Sequence, residues 1–329
     1  MPRPHAFASR ALGLAALALC HLFPVTASAQ ATAPELRAES CSVEGLMGSI
    51  RRGLASKSPA YKKYLRTLLR ESAVTLPDAE LRAAFERETD PVMVEHLAAA
   101  LVARTERGAD PAAMGMVAKR IQEERDPALR VASLRALRRT SATENTGDLY
   151  ERLARDASPE VRQEAATNLI EDNQFVYSGH HGPAADAAVG AAAASTDPKV
   201  TARILDNVST EHISPESTER LKSLLRSDDA SVRAAAANAL GGVPSEQMAG
   251  ARETLLGMYR DERDVGVRKM LLQSIAQLGF SGAIPDLQRL RGVDPRLVPE
   301  VDAWVRVLGM GLQEWSLILR EKQRLQQAP

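Results

Sequence analysis

Two adjacent histidines, His180 and His181, stand between glycines in the stretch EDNQFVYSGHHGP (171–183). Imidazole is the commonest metal-ligating side chain and a frequent general base, so the pair invites a zinc or acid–base reading. A helical zinc site also needs a donor three or four residues further on, and none follows there. Asp172 and Asp186 reach the pair only if the chain folds back. The stretch reads as an inserted surface loop, with partner contact through Phe175, Tyr177, His180 and His181 as its functional alternative. Phe and Tyr draw attention here because only 4% of the 329 residues are aromatic.

Other chemistry is sparse. The sequence has no G-x-S-x-G, no H-E-x-x-H, no phosphate loop, no EF-hand loop and no paired C-x-x-C. Carboxylate pairs such as Asp228 and Asp229, or Glu123 and Glu124, fall at helix caps and polar faces, where charge is ordinary. No catalytic, cofactor-binding or metal-ligating residue is assigned, and no cofactor is expected. His96 reads as a half-buried packing residue and His212 as a solvated turn residue. A formal net charge of zero gives no footprint for a polyanion, so nucleic acid is not an expected partner.

The first 29 residues form a three-part leader: Arg3 and Arg10, the apolar run ALGLAALALCHLF, and Ala27-Ser28-Ala29 as a small-residue cleavage site. That layout predicts a secretory signal peptide, hence a periplasmic or secreted protein starting at Gln30. Residues 30–41 then make a flexible mature N-terminus. Cys20 leaves with the leader, so Cys41 is a lone thiol, either tolerated in place or paired between molecules in a disulfide. No later run is long and uncharged enough to cross a bilayer, so stable membrane insertion is not expected.

The elements that must position any site announce themselves by repetition. Taking Val232 in SDDASVRAAAANALGGV as position zero, large apolar residues fall at zero and +8, with small or apolar ones at +4 and +7. That spacing is one face of a helix. The template recurs with zero at Tyr61, Met93, Leu129, Val161, Val200, Val232, Val267 and Leu297, separated by 32, 36, 32, 39, 32, 35 and 30 residues. Position −3 is always Asp or Ser: Ser58, Asp90, Asp126, Ser158, Asp197, Asp229, Asp264 and Asp294. These are helix N-caps, and Pro follows in six of them, where its fixed φ suits a first helical residue. A second helical pattern, such as PESTERLKSLL or QMAGARETLLGMY, fits in each interval. Each unit is a helix, a turn and a capped helix, which cannot bury its apolar face alone and must stack on its neighbours. Pro299 falls at the fifth position of the last capped helix, which predicts an irregular repeat there.

The element D-x-x-V-R-x-x-A-x-x-A-L, present as DASVRAAAANAL, SPEVRQEAATNL and DPALRVASLRAL, resembles the second helix of HEAT repeats, in particular the short bacterial variety of phycobilin lyases. The resemblance spans about residues 42 to 309. It implies an all-α fold, an α-solenoid of about eight two-helix repeats, closed by a C-terminal capping helix and tail over 310–329. It also implies that the capped helices line the concave side. The basic residue at +1 would bond acids of a neighbouring turn, through Lys62, Arg130, Arg162, Arg233 and Arg268. Val94, Thr201 and Val298 depart from that pattern, so the ladder should break at those repeats.

Function is then expected on the face opposite the apolar stripe, positions +2, +5, +6 and +9. Lys63, Arg66 and Arg70 there form a basic ridge, continued by Arg135 and Arg138. Val131, Leu134, Ile170 and Leu205 would form an apolar floor if no neighbouring helix covers them. The expected function is an exported scaffold that binds a partner protein or peptide along the concave face. A lyase-like or ligand-handling enzyme is the alternative, suggested only by the type of repeat. Phycobilin lyases act on cytoplasmic antenna proteins, so the leader argues against carrying that activity over.

Overall fold

The computed structural model describes residues 43–55, 58–107, 111–140, 146–175 and 181–327. The leader, Cys41, Tyr177 and His180 lie outside them. The first helices of the repeats are α1 (Val43–Leu54), α3 (Asp78–Arg87), α5 (Pro111–Glu123), α7 (Gly147–Leu153), α9 (His181–Ala194), α11 (Pro215–Leu224), α13 (Met248–Asp261) and α15 (Ile284–Leu290). The capped helices are α2 (Pro59–Thr75), α4 (Pro91–Glu106), α6 (Pro127–Leu137), α8 (Pro159–Phe175), α10 (Pro198–Leu205), α12 (Ala230–Leu240), α14 (Val265–Gly279) and α16 (Val298–Leu308), and α17 (Trp315–Gln327) follows. No strand occurs among the described residues. The expected all-α solenoid is what the chain forms.

Two compact units divide at Leu65, within α2. The first holds α1 and the start of α2, with Met47, Ile50 and Leu65 buried. In the second, each first helix packs on its capped partner, and consecutive capped helices stack from α4 through α16. Zero and +8 side chains such as Met93, Leu101, Leu137, Val161, Leu169, Val232, Leu240, Val267 and Ile275 are at most 5% exposed. The repeat spacing in the sequence is therefore the spacing of the core, except at Tyr61, the first zero residue, which is exposed.

Seven capped α-helices begin where the Asp or Ser predicts, and the eighth cap opens a 3-10 turn. The Asp90 carboxylate accepts from Val92 N and Met93 N at 2.9 and 3.1 Å, Asp229 from Ser231 N and Val232 N at 2.8 and 3.2 Å, and Asp264 from Val267 N at 2.9 Å. The serines do the same at greater length, Ser158 Oγ taking Val161 N at 3.3 Å and Ser58 Oγ taking Tyr61 N at 3.4 Å. Asp294 opens a 3-10 turn, Pro295–Leu297, and the α-helix starts only at Val298. Pro299 thus lies in a first α-helical turn, where a missing N–H costs nothing. The expected irregularity is real, and it is confined to that one turn.

The C-terminal end is closed as expected. Trp315 stacks on buried Trp304 with ring centroids 5.6 Å apart and planes 1° from parallel, and Phe280 meets Trp315 edge-on at 6.1 Å. Lys322 lies 4.4 Å over the Trp304 ring and pairs with Glu300 at 2.6 Å. Ile318 of α17 is fully buried and anchors that helix to the end of the solenoid.

Four arginines at +1 each tie their repeat to the next. Arg130 donates to Asp156 at 3.0 Å, Arg162 pairs with Asp197 at 3.5 Å, Arg233 pairs with Glu262 at 2.6 Å, and Arg268 with Asp294 at 2.8 Å. Every acceptor belongs to the turn or cap of the following repeat. Thr201, where the arginine is missing, turns its hydroxyl inward to Ala192 O at 3.1 Å, and Val94 is simply buried. The ladder breaks there as the resemblance implied.

Candidate interaction surface

A straight helix advances about 100° per residue, which puts +2, +6 and +9 roughly opposite the stripe and +5 on its flank. The structure follows this geometry. Leu134 and Leu205, both at +5, are 0% and 1% exposed, and so is Ala166 at 1%. The apolar floor expected from these leucines does not exist as a free surface. They are core, because the +5 flank of one capped helix is covered by the next: Asn168 of α8 donates its side-chain N–H to Leu134 O at 2.6 Å. Val131 and Ile170 are half-buried.

What the outward face does present is polar. Arg135 of α6 reaches Glu95 of α4 at 3.9 Å and Glu164 of α8 at 3.4 Å. Arg138 binds Glu164, and also Glu171 at 3.4 Å and Asn168 Oδ1 at 3.2 Å. Arg139 completes the row on Glu171 at 3.1 Å. One repeat further, Arg203 of α10 donates to Gln163 Oε1 and Thr167 Oγ1 of α8, both at 2.9 Å. The basic entrance anticipated at Arg135 and Arg138 is therefore largely neutralised by acids on the neighbouring helices. Lys63, in the first unit, and Arg66 and Arg70, in the second, are exposed.

Electrostatics agree with this picture. Burial pushes the Glu95 carboxyl up, against the pull of Arg135 and Arg138. Half-buried His96 is driven below its ordinary value, first by burial and then by the charges of Arg70 and Arg66. It packs as expected and has no metal partner set. Exposed His212 lies in the turn before α11. Among the described residues no group of three His, Cys, Asp or Glu side chains could hold a metal ion.

The candidate loop is shorter than the sequence suggests. Phe175 ends α8 and His181 begins α9, so residues 171–175 and 181–183 of the stretch are helical, and Tyr177 and His180 lie outside the described residues. The two acids that would have completed a metal site are committed elsewhere. Asp172 is fully buried and accepts the Arg139 backbone N–H, which fixes Arg139 at a positive φ of 59°. Asp186 accepts both the N–H and the hydroxyl of Ser214, at 2.9 and 3.0 Å.

A second set of turn residues escaped the sequence reading. Two places before the caps stand Glu88, Glu124, Asp156, Ser195, Ser227 and Glu262, each accepting backbone N–H groups of its own turn. The signal was available at position −5. It was hidden because Ser and Asp alternate with Glu there, so no single letter recurs.

A family model described as HEAT repeats matches residues 186–276 and 219–301, which takes in the helices from α9 into α16. No curated protein matches the sequence. Among solved structures, YibA of Escherichia coli is 11% identical, covering 93% of this chain and 100% of its own, with a TM-score of 0.42. Kap121p is 14% identical over 91% of this chain, with a TM-score of 0.38, and the chain spans only 41% of it. Human deoxyhypusine hydroxylase in complex with glycerol is 16% identical over 89% of this chain and 98% of its own, with a TM-score of 0.28. Likeness at this level says nothing of activity. Residues 186–301 carry HEAT repeats, and the same capped-helix register and forward arginine ladder continue through the other described repeats of this α-solenoid.

Proposed function

We propose that the chain is an exported scaffold that holds another protein, or an extended segment of one, against the outward face of its capped helices. Export rests on the charged, apolar and small-residue layout of residues 1–29. Binding needs no covalent chemistry, and no described side-chain cluster supports an enzymatic reading of its own. The observation that carries the proposal is the cross-helix polar row from Glu95 through Arg135, Glu164 and Arg138 to Glu171, followed by Gln163, Thr167 and Arg203. These side chains are held in place by their neighbours yet remain partly open to solvent, as with Arg135 at 48% and Arg138 at 28% exposure. A polar surface whose rotamers are already fixed loses less entropy when a partner docks. Stacked repeats present such groups at near-regular spacing, which suits an elongated partner.

Cross-linking and pull-down of the mature protein from its native cell envelope, with mass spectrometry, tests this. The wild type should retain a defined protein that an Arg135→Glu, Arg203→Glu double variant loses while keeping its helical circular dichroism. Equal recovery by both forms, or recovery of nothing by the wild type, would remove this face as the binding surface.

A further inference from the structure

The closing helix is lightly held. Ile318 is the one buried side chain of α17, whereas α14, of similar length, buries seven. Its grip on the solenoid comes from one side and at three points. Trp315 lies against Trp304 and Phe280, Ile318 is buried, and Lys322 sits over the Trp304 ring with its ammonium on Glu300. Glu300 also accepts from Gln326 at 2.7 Å. Positions 315, 318 and 322 are i, i+3 and i+7, the anchors by which an amphipathic helix enters a groove on another protein. The closed seat carries two local costs. Phe280, the C-cap of α14, has φ 47°, a left-handed backbone that a bulky residue rarely adopts, and its ring meets Trp315. Trp304 Nε1 is buried with no hydrogen-bond partner among the described residues. Strained backbone of this kind gathers at ligand clamps and switch regions. The joint to the solenoid is a six-residue link, 309–314, with Gly309 and with Gly311 at φ 73°. The last turn of α17, through Leu325 and Gln326, borders the same cavity as Lys269 and Arg306 of the outward face.

We propose that α17 is a tethered ligand of its own seat, a strap that an amphipathic helix of the partner displaces. The displacing helix carries an aromatic residue, a branched aliphatic three places on and a Lys or Arg seven places on, as α17 does. The inference rests on the scaffold reading and specifies how the partner engages the end of the solenoid. The aromatic side chain takes the face of Trp304, the aliphatic takes the place of Ile318, and the cation takes Glu300. That carboxylate is only 12% exposed, so it would be left buried and unpaired if α17 lifted with nothing in its stead. The seat therefore favours exchange of one helix for another over simple opening.

A labelled peptide of residues 313–327 carrying Trp315→Phe, added to the full-length protein, tests the idea. Trp304 and Trp315 are the two tryptophans of the chain, so with Phe in the peptide tryptophan emission reports their stack alone. Saturating peptide should shift that emission in the wild type, because Trp315 leaves Trp304. Fluorescence anisotropy should show Trp315→Ala binding the peptide about tenfold more tightly than wild type, since apparent affinity scales with the fraction of seats already open. Glu300→Gln in the Trp315→Ala background should undo most of that gain, and a peptide carrying Ile318→Asp should bind neither form. Equal binding by wild type and Trp315→Ala, no binding by either, or equal binding of the Ile318→Asp peptide would each sink the proposal. So would loss of the solenoid's helical circular dichroism in Trp315→Ala, which would make α17 a structural part and not a strap. If the peptide fails while the envelope partner is still lost on Arg135→Glu with Arg203→Glu, the strap is wrong and the scaffold reading stands.

Discussion

Removing Arg233 should cost far more than removing Arg135, although both look like ordinary helix arginines in the sequence. Glu262 is only 3% exposed and takes Arg233 Nε at 2.6 Å and Nη2 at 3.0 Å. The same guanidinium caps Ser227 O and Asp228 O at 2.9 and 3.0 Å, so it ties its own turn to that of the next repeat. Burial alone would raise the Glu262 carboxyl, but the arginine fork and the N–H groups of Asp264 and Arg263 outweigh it and hold the group ionised. Arg233→Ala then leaves a buried carboxylate with two of its four donors. Breaking a buried pair from one side typically costs about 3–5 kcal/mol, and the two surviving N–H bonds place this case near the lower end. Glu262→Gln should cost roughly 1–3 kcal/mol, and the two changes together less than their sum. Arg135 faces solvent at 48% exposure, so Arg135→Ala should stay within about 0.5 kcal/mol. Equilibrium urea unfolding at neutral pH reads all four proteins, with the slope checked because repeat arrays can lose two-state behaviour. An Arg233→Ala variant no less stable than Arg135→Ala would refute the claim that the ladder couples repeats.

Leu134→Ala should destabilise by about 2–5 kcal/mol and Val131→Ala by well under half of that, measured the same way, since one is core and the other half-open. Leu134→Glu should prevent folding rather than merely block binding. Glu262, Asp286 and Asp294 all sit below the ordinary carboxyl values of 4.5 for Glu and 3.8 for Asp. Lowered folded values mean that the unfolded chain binds protons more readily, so stability present above about pH 5 is lost as pH falls through 4 and below. Thermal melts from pH 7 to pH 3 should show that decline, and Asp294→Asn should shrink it. Trp315→Ala should release α17, seen as faster amide exchange over 315–327 with the rest of the chain unchanged. N-terminal sequencing from the native host should begin at Gln30, and an intact Met1 would contradict export.

The repeat register and all eight caps were legible in the sequence because they are local. An Asp or Ser three places before an apolar anchor needs only its own first turn, as at Asp229 and Val232. The arginine ladder was legible through the resemblance, including its gaps at Val94 and Thr201. The leucine floor was not. A helical wheel describes one helix, and Leu134 is covered by α8, an element some thirty residues away whose approach angle no single wheel contains. The same limit hid the Glu95–Arg135–Glu164 row, whose members belong to three helices.

The most direct measurement places a photoactivatable cross-linker at Gln163, Asn238 or Gln273 on the outward face, and at Gln122, Glu253 or Gln288 on the first helices, in the full chain expressed in its own host. If the capped-helix face is the docking surface, the same partner should be trapped from the first three positions and not from the second three. A partner trapped only from Gln122, Glu253 or Gln288 would put the interaction on the first helices and contradict the account.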